Sequence, residues 1–166
     1  EAFSIIRKEH KHSALQIIII GDRFSDVDEV DMWKKNMDLR GDAVKEVTKV
    51  SDEELHRYYC GAKLLVHPSL YEGFGFTPLE AMACGIPAVV SNTSSLPEIC
   101  GSAALYFDPY DISDMVKKIN MVIEDEDLRR ILTNNGFKRA CSFTWKRCAE
   151  ETLKVFREVQ TDERTR

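Results

Sequence analysis

The residues whose types and spacing could do chemistry lie together in the segment from Glu72 to Glu80, read as EGFGFTPLE. It carries a carboxylate at each end, Glu72 and Glu80, and two glycines, Gly73 and Gly75, between them. An ionised carboxylate only accepts hydrogen bonds, so it suits hydroxyl groups rather than phosphate. The glycines can take backbone angles closed to other residues and let a ligand approach the main chain. A helix that starts in this stretch would turn its free amides toward an anion, with the helix dipole in support. Amides for a pyrophosphate and carboxylates for a sugar and a ribose form a set that matches a sugar nucleoside diphosphate.

Each of these residues also has a plainer reading. Glu80 follows Thr77 by three positions and would complete a capping box. A glycine pair commonly serves a tight turn, and a loop glutamate such as Glu72 is commonly solvated. His67, at the end of an apolar run, is more often a packed core histidine than a base. Strand, glycine loop and capped helix in one stretch are what favour the functional reading.

The elements needed to position the segment are visible around it. Short apolar runs, Ala14–Ile20, Ala62–His67, Pro87–Ser91 and Ala104–Phe107, read as buried strands, and Ala43–Val50 is a weaker candidate. Helical patterns separate them, beginning with the first residues, EAFSIIRKEH. Ser51–Glu54 and Thr77–Glu80 have capping-box spacing, with Pro78 at the first helical position of the second helix. Asp111 caps a helix through about Glu124, and Thr144 caps a last one with Trp145, Cys148, Leu153 and Phe156 roughly on a helical face. Apolar strands alternating with helices predict a doubly wound, mostly parallel α/β domain. Ligands bind such sheets beyond the carboxyl ends of the strands, where His67–Thr77 and Ser91–Pro97 fall. One domain is expected over residues 1–159, with 160–166 as a frayed tail.

Composition narrows the class. The chain has 166 residues, 43% of them hydrophobic and 31% charged, with a formal net charge of −5. Its lysines and arginines are scattered among acids, so nucleic acid is not an expected partner. The cysteines are Cys60, Cys84, Cys100, Cys141 and Cys148. Their odd number and the lack of a C-x-x-C pair indicate neither a disulfide framework nor a zinc site. Free thiols in a reducing compartment fit best. No apolar run approaches a membrane span. Glu1–Ala2–Phe3 has no signal-peptide layout and no start methionine, so the chain reads as cut from a longer protein.

The stretch HPSLYEGFGFTPLEAMACGIPAVVSN, within residues 50–108, resembles the C-terminal domain of the group 1 retaining glycosyltransferases, glycosyltransferase family 4 with the GT-B fold. Glu72 and Glu80 match the family's E-x7-E element. Val50–Leu55, Ser94–Ile99, Ala103–Ala104 and Phe107–Pro109 also read like it, with less specific similarity along the rest. The resemblance implies that Glu72 contacts donor-sugar hydroxyls near the reacting centre, in the catalytic role. Amides around Gly73, Phe74, Gly75, Phe76 and Thr77 would hold sugar and pyrophosphate. Glu80 would accept from the ribose, and Val50 would lie near the nucleobase. The implied reaction moves a hexosyl group, with retention, from a UDP-, GDP- or ADP-sugar to a glycan or lipid-linked acceptor in polysaccharide or lipopolysaccharide assembly. The Ser94-Ser95-Leu-Pro form leans toward GDP-mannose. The resemblance implies neither a metal nor another cofactor. The location implied is cytoplasmic, with membrane attachment only through the absent domain.

One departure accompanies the match. In the family a strand precedes the first helix and its loop supplies an arginine and a lysine to the diphosphate. Here the chain begins inside that helix, and Arg23 has no matching role. The acceptor-binding N-terminal domain is absent as well, so the expectation is half an active site, inactive alone. The missing strand would lie between Ile17–Ile20 and Leu64–His67. A strand from a neighbouring molecule (hence self-association), a rearranged sheet, or omitted parent residues would fill its place. Two other classes stay open: a GT-B sugar-nucleotide epimerase, which would release a free sugar nucleotide, and a non-catalytic binding module.

Overall fold

A computed structural model describes residues 1–9, 14–21, 32, 34–37, 39 and 41–163; Arg23 lies outside them. In chain order come α1 (Ala2–Glu9), β1 (Ile17–Ile20), a 3-10 turn (Gly41–Ala43) and β2 (Val44–Val47). There follow α2 (Asp52–Gly61), β3 (Leu65–His67), α3 (Phe76–Ala83), β4 (Ala88–Ser91) and α4 (Leu96–Cys100). A second 3-10 turn (Gly101–Ala103), β5 (Ala104–Phe107), α5 (Ile112–Glu124), α6 (Glu126–Cys141) and α7 (Trp145–Glu163) complete the order.

All described strand pairings are parallel, as the alternation of apolar runs and helices predicts. The described strands form two sheets: β1 beside β2, and β3-β4-β5 with β4 in the middle. β1 and β3 are not paired with each other, so no rearranged sheet joins them among the described residues. The strands are shorter than the apolar runs. α2 continues to Gly61 with Ala62 as its C-cap, which delays β3 to Leu65. β2 stops at Val47 and is followed by Lys49 in a left-handed conformation, φ 54°.

β4 shows why the three-stranded sheet is covered on both faces. Ala88, Val89, Val90 and Ser91 are all fully buried. Successive side chains leave opposite faces. Val89 joins one cluster with Ile6, Phe107, Val116, Ile119, Val122 and Leu132. Ala88 and Val90 join the other, with Leu79, Met82, Leu96, Ile99 and Cys100. α1 and α5 thus cover one face, and α3 and α4 the other. α6 packs closely on α3 at Gly136, where an added Cβ would stand 2.9 Å from Met82 Cγ.

Most predicted caps form. Ser51 and Glu54 make the full capping box, Asp111 accepts from the amides of Ser113 and Asp114, and Thr144 accepts from Arg147. The Thr77–Glu80 box does not form. Gly75 is the N-cap of α3, with φ 113° and ψ 50° and no side-chain cap bond, so the helix starts at Phe76. That backbone conformation is essentially reserved for glycine, and it turns the chain into the helix ahead of Thr77. Pro78 therefore sits at the third helical position rather than the first. This is still within the turn where no amide partner is needed. At the other end of the chain, α7 runs past Gln160 to Glu163.

Candidate active site

The candidate site lies where β3 and β4 end. His67 closes β3, and its Nε2 lies 2.9 Å from Oε1 of Glu72. Since a carboxylate only accepts, the imidazole supplies the hydrogen at Nε2. The backbone of Glu72 is clamped from the loop after β4. Its N–H donates to Ser94 Oγ at 3.2 Å, and its carbonyl accepts from Ser94 Oγ at 2.7 Å and Ser95 Oγ at 3.0 Å. Ser95 Oγ also lies 2.8 Å from the Phe74 carbonyl. Further back, the hydroxyls of Ser91 and Thr93 both donate to the Ser69 carbonyl. Ser94 holds φ 55° to do this, a conformation uncommon outside glycine. The bonds to Glu72 maintain it.

The loop then drops Phe74 onto the cluster around Leu96 and Ile99. Its ring meets Phe76 at 4.7 Å and Phe143 edge-on at 5.7 Å. Gly75 is buried, and a Cβ there would meet Leu96 Cδ2 at 3.1 Å. Gly73 differs from the reading of both glycines as special conformers. Its φ is not in the left-handed region, and a Cβ would meet nothing within 4 Å. Gly73 therefore offers open space beside the main chain, while Gly75 shapes the turn. Among the described residues, the amides of Phe76 and Thr77 donate to no protein acceptor. They are the first-turn donors that a helix leaves for an anion.

Glu80 is exposed, one turn into α3, and its Oε2 accepts from the Tyr59 hydroxyl at 3.1 Å. Burial first, and then the charge of Glu80, push the Tyr59 phenol above its ordinary range, so the hydroxyl remains a donor. The carboxylate that spacing assigned to a cap is thus directed by α2, with Oε1 on its other side. Val50 is half-buried immediately before the N-cap Ser51. It precedes the helix, whereas Tyr59 lies in the last turn of α2. Glu72 is thus joined to His67 and the serines, and Glu80 to Tyr59, while Val50 stands at the opposite end of α2.

Sequence placed His67, Ser94 and Ser95 at the strand ends without giving them these contacts, and gave Tyr59 no place in the site. The signal for the serines was a run of hydroxyls, SNTSS, directly after a buried strand. Tyr59 offered no signal, because its partner comes from another helix. Another hollow of the surface, lined by Met121, Glu124, Asp125, Glu126 and Asp127, is acidic and ill suited to a diphosphate.

This segment and its surroundings match known proteins. The family model for group 1 glycosyl transferases covers residues 1–139. The chain belongs to that family. This group 1 glycosyltransferase chain is 42% identical over 108 residues to the O-antigen chain mannosyltransferase B of Escherichia coli, covering 65% of the chain and 28% of that protein. It is 34% identical over 119 residues to the MMP alpha-(1->4)-mannosyltransferase of Mycolicibacterium hassiacum, covering 69% of the chain and 29% of that protein. Among solved structures, the sucrose-phosphate synthase of Thermosynechococcus elongatus superposes with a TM-score of 0.76 at 26% identity, over 97% of this chain and 42% of the other. The alpha,alpha-trehalose 6-phosphate synthase of Burkholderia multivorans does so with a TM-score of 0.85 at 14% identity, over 99% of this chain and 39% of the other. The fold is thus the Rossmann-like fragment of a GT-B glycosyltransferase. The chain spans less than a third of the length of the two mannosyltransferases. Among the described residues, no helix is long and apolar enough to cross a membrane.

Proposed function

We propose that this chain is the donor-binding part of a retaining hexosyltransferase. The donor is a nucleotide diphosphate sugar, with GDP-mannose first and a UDP-sugar second, and the acceptor a glycan or lipid-linked intermediate in polysaccharide or lipopolysaccharide assembly. The acceptor side belongs to residues beyond this chain. The observation that carries the reading is the meeting of free α3 amides with a glutamate fixed by four hydrogen bonds to three residues, His67, Ser94 and Ser95. Relatives named as mannosyltransferases support a mannosyl donor.

The chemistry follows from charge. As the bond from the anomeric carbon to the diphosphate breaks, negative charge grows on the departing oxygens. The amides of Phe76 and Thr77 and the α3 dipole stabilise that charge without having to reorganise. Glu72 accepts from donor-sugar hydroxyls, holding the sugar while its ring gains positive character; Glu80 takes the ribose hydroxyls on the face of its carboxylate away from Tyr59. Gly73 leaves the room for the sugar to lie against the main chain. No step requires a metal.

The test is calorimetric binding of UDP-, GDP- and ADP-sugars to the intact parent protein, followed by product analysis with an acceptor extract. GDP-mannose binding with an α-linked mannosyl product supports the reading. Release of a free, altered sugar nucleotide indicates an epimerase, and failure of every sugar nucleotide to bind refutes the proposal.

A further inference from the structure

Behind the donor site, α2 and α3 bring together side chains that the proposed transfer does not use. His56 and Cys60 lie one turn apart on α2, and Cys84 is the C-cap of α3. The Cys60 sulfur lies 3.5 Å from His56 Nε2, and the Cys84 sulfur 3.3 Å from His56 Nδ1. The three ligand atoms all lie within 4.8 Å of one another. We infer that His56, Cys60 and Cys84 form a binding site for a thiophilic divalent cation of the zinc class, which ties α2 to α3 beside Glu80.

The spacing fits such an ion. With sulfur at about 2.3 Å and nitrogen at about 2.0–2.1 Å from the metal, tetrahedral angles set ligand atoms roughly 3.5–3.8 Å apart. The two sulfur–nitrogen distances are close to that but involve different ring nitrogens, so the imidazole must turn to present one nitrogen to both sulfurs and the ligand atoms, now within 4.8 Å of one another, must draw in. Three protein ligands leave a fourth position for water. His56 and Cys60 are exposed and Cys84 half-buried, so an ion reaches the cluster from solvent.

The surroundings favour a cation. Cys60 lies in the last turn of α2 and Cys84 caps the C-terminus of α3, helix ends that carry partial negative charge, and His56 lies one turn before Cys60. Neither α2 nor α3 has a basic residue in its last turn. Coordination replaces the two thiol protons, which leave to solvent, by one divalent ion.

The position gives the site a consequence. Tyr59, between His56 and Cys60 in the chain, donates to Glu80, and Glu80 lies one turn before Cys84. An ion shared by the two helices fixes the contact that orients Glu80. Donor affinity then depends on occupancy, but the site itself stands whether or not the donor is a sugar nucleotide.

The experiment is titration of the chelator-stripped 166-residue chain with Co2+ under a non-thiol reductant, followed by absorbance. One equivalent of Co2+ should bind with thiolate-to-cobalt charge-transfer absorption and the intense d–d bands of a tetrahedral site, and Zn2+ should displace it. Cys60→Ser and Cys84→Ser should each weaken binding by more than the roughly 10–100-fold typical of losing an outer partner of a metal site. Cys141→Ser and Cys148→Ser, exposed thiols elsewhere, should change nothing. Cys60 is exposed, so circular dichroism should find its serine variant folded. Absent charge-transfer bands, or binding retained in Cys60→Ser and lost in Cys141→Ser or Cys148→Ser, would overturn the site.

Discussion

Replacing Gly75 by alanine tests the construction of the loop most directly. Gly75 holds φ 113° and ψ 50° at the N-cap of α3, where an L side chain is strained at a cost of about 1–3 kcal/mol. Its Cβ would also stand 3.1 Å from Leu96 Cδ2 and 3.8 Å from Ile99 Cγ2. Leu96 is completely buried and has no solvent to move into, so overpacking adds about 1–3 kcal/mol. The two effects share a cause and partly relax together, so about 3 kcal/mol is a fair expectation for Gly75→Ala. At about 2–4 °C per kcal/mol for a chain of this size, the thermal midpoint should fall by roughly 6–12 °C. Gly73→Ala is the control, because its added methyl meets nothing within 4 Å and φ is ordinary. It should leave stability within about 0.5 kcal/mol of the parent and weaken donor binding by crowding the main chain. Urea denaturation of the two variants beside the parent decides the matter. Equal midpoints for Gly75→Ala and the parent would refute the role given to this turn.

Glu72→Gln in the intact enzyme exchanges charged hydrogen bonds for neutral ones, a loss of about 1–1.5 kcal/mol. Turnover at saturating donor should fall about 5–13-fold, and unchanged turnover would remove Glu72 from the reacting centre. Ser94→Ala deletes the hydroxyl that both accepts from and donates to Glu72; stability should drop by about 1 kcal/mol, with a higher KM for donor, and a KM equal to the parent's would show that the clamp does not position Glu72. The Asp111 carboxyl is held below its ordinary value by the Ser113 hydroxyl and then the Asp114 amide. A depressed folded-state pKa adds stability above the ordinary value of 3.8 and loses it as pH falls through the lowered one. Melting scans between about pH 5 and pH 2.5 should therefore show a smaller acid loss for Asp111→Asn, which caps without titrating, and identical losses would contradict the cap. Among the described residues β1 has one paired neighbour, β2, and exposes Ile18 at 41% and Ile19 at 37%; sedimentation velocity should show concentration-dependent self-association that Ile18→Lys reduces, and a monomer at every concentration would count against an open edge.

How much of this was legible in the sequence depended on the range of each interaction. The strand cores at Ile17–Ile20, Leu65–His67 and Ala88–Ser91 could be read because β-branched apolar runs are local. Ser51, Asp111 and Thr144 could be read as caps because a cap bonds its own helix. Thr77 could not be judged this way. Its spacing to Glu80 was right for a box, but the deciding fact was the conformation of Gly75, where Leu96 and Ile99 from α4 also crowd any added side chain. The division into two sheets was likewise a property of pairing rather than of any one strand. The His56, Cys60 and Cys84 cluster escaped for the same reason. Spacing shows His56 and Cys60 on one helical face, but Cys84 arrives from another helix, and no linear motif records it.

The same distinction explains how the site is built. A strand end offers little rigidity to the loop that follows it, and a glycine-containing loop offers less. Here the loop after β3 is restrained from outside its own sequence, by hydroxyls that reach it from the end of β4. Ser91 and Thr93 take the Ser69 carbonyl, and Ser94 and Ser95 take those of Glu72 and Phe74. Phe74 then anchors the loop in the core, just before the turn into α3. These bonds satisfy the carbonyls on one side and leave the amides of Phe76 and Thr77 free on the other. A loop fixed in this way can present its donors to a diphosphate without first having to order itself. Electrostatic stabilisation of a departing anion depends on such preorganisation, because donors that must move to meet the charge lose much of their effect in doing so. Under the proposed function the serines after β4 therefore act as positioning residues, although none of them needs to touch the donor.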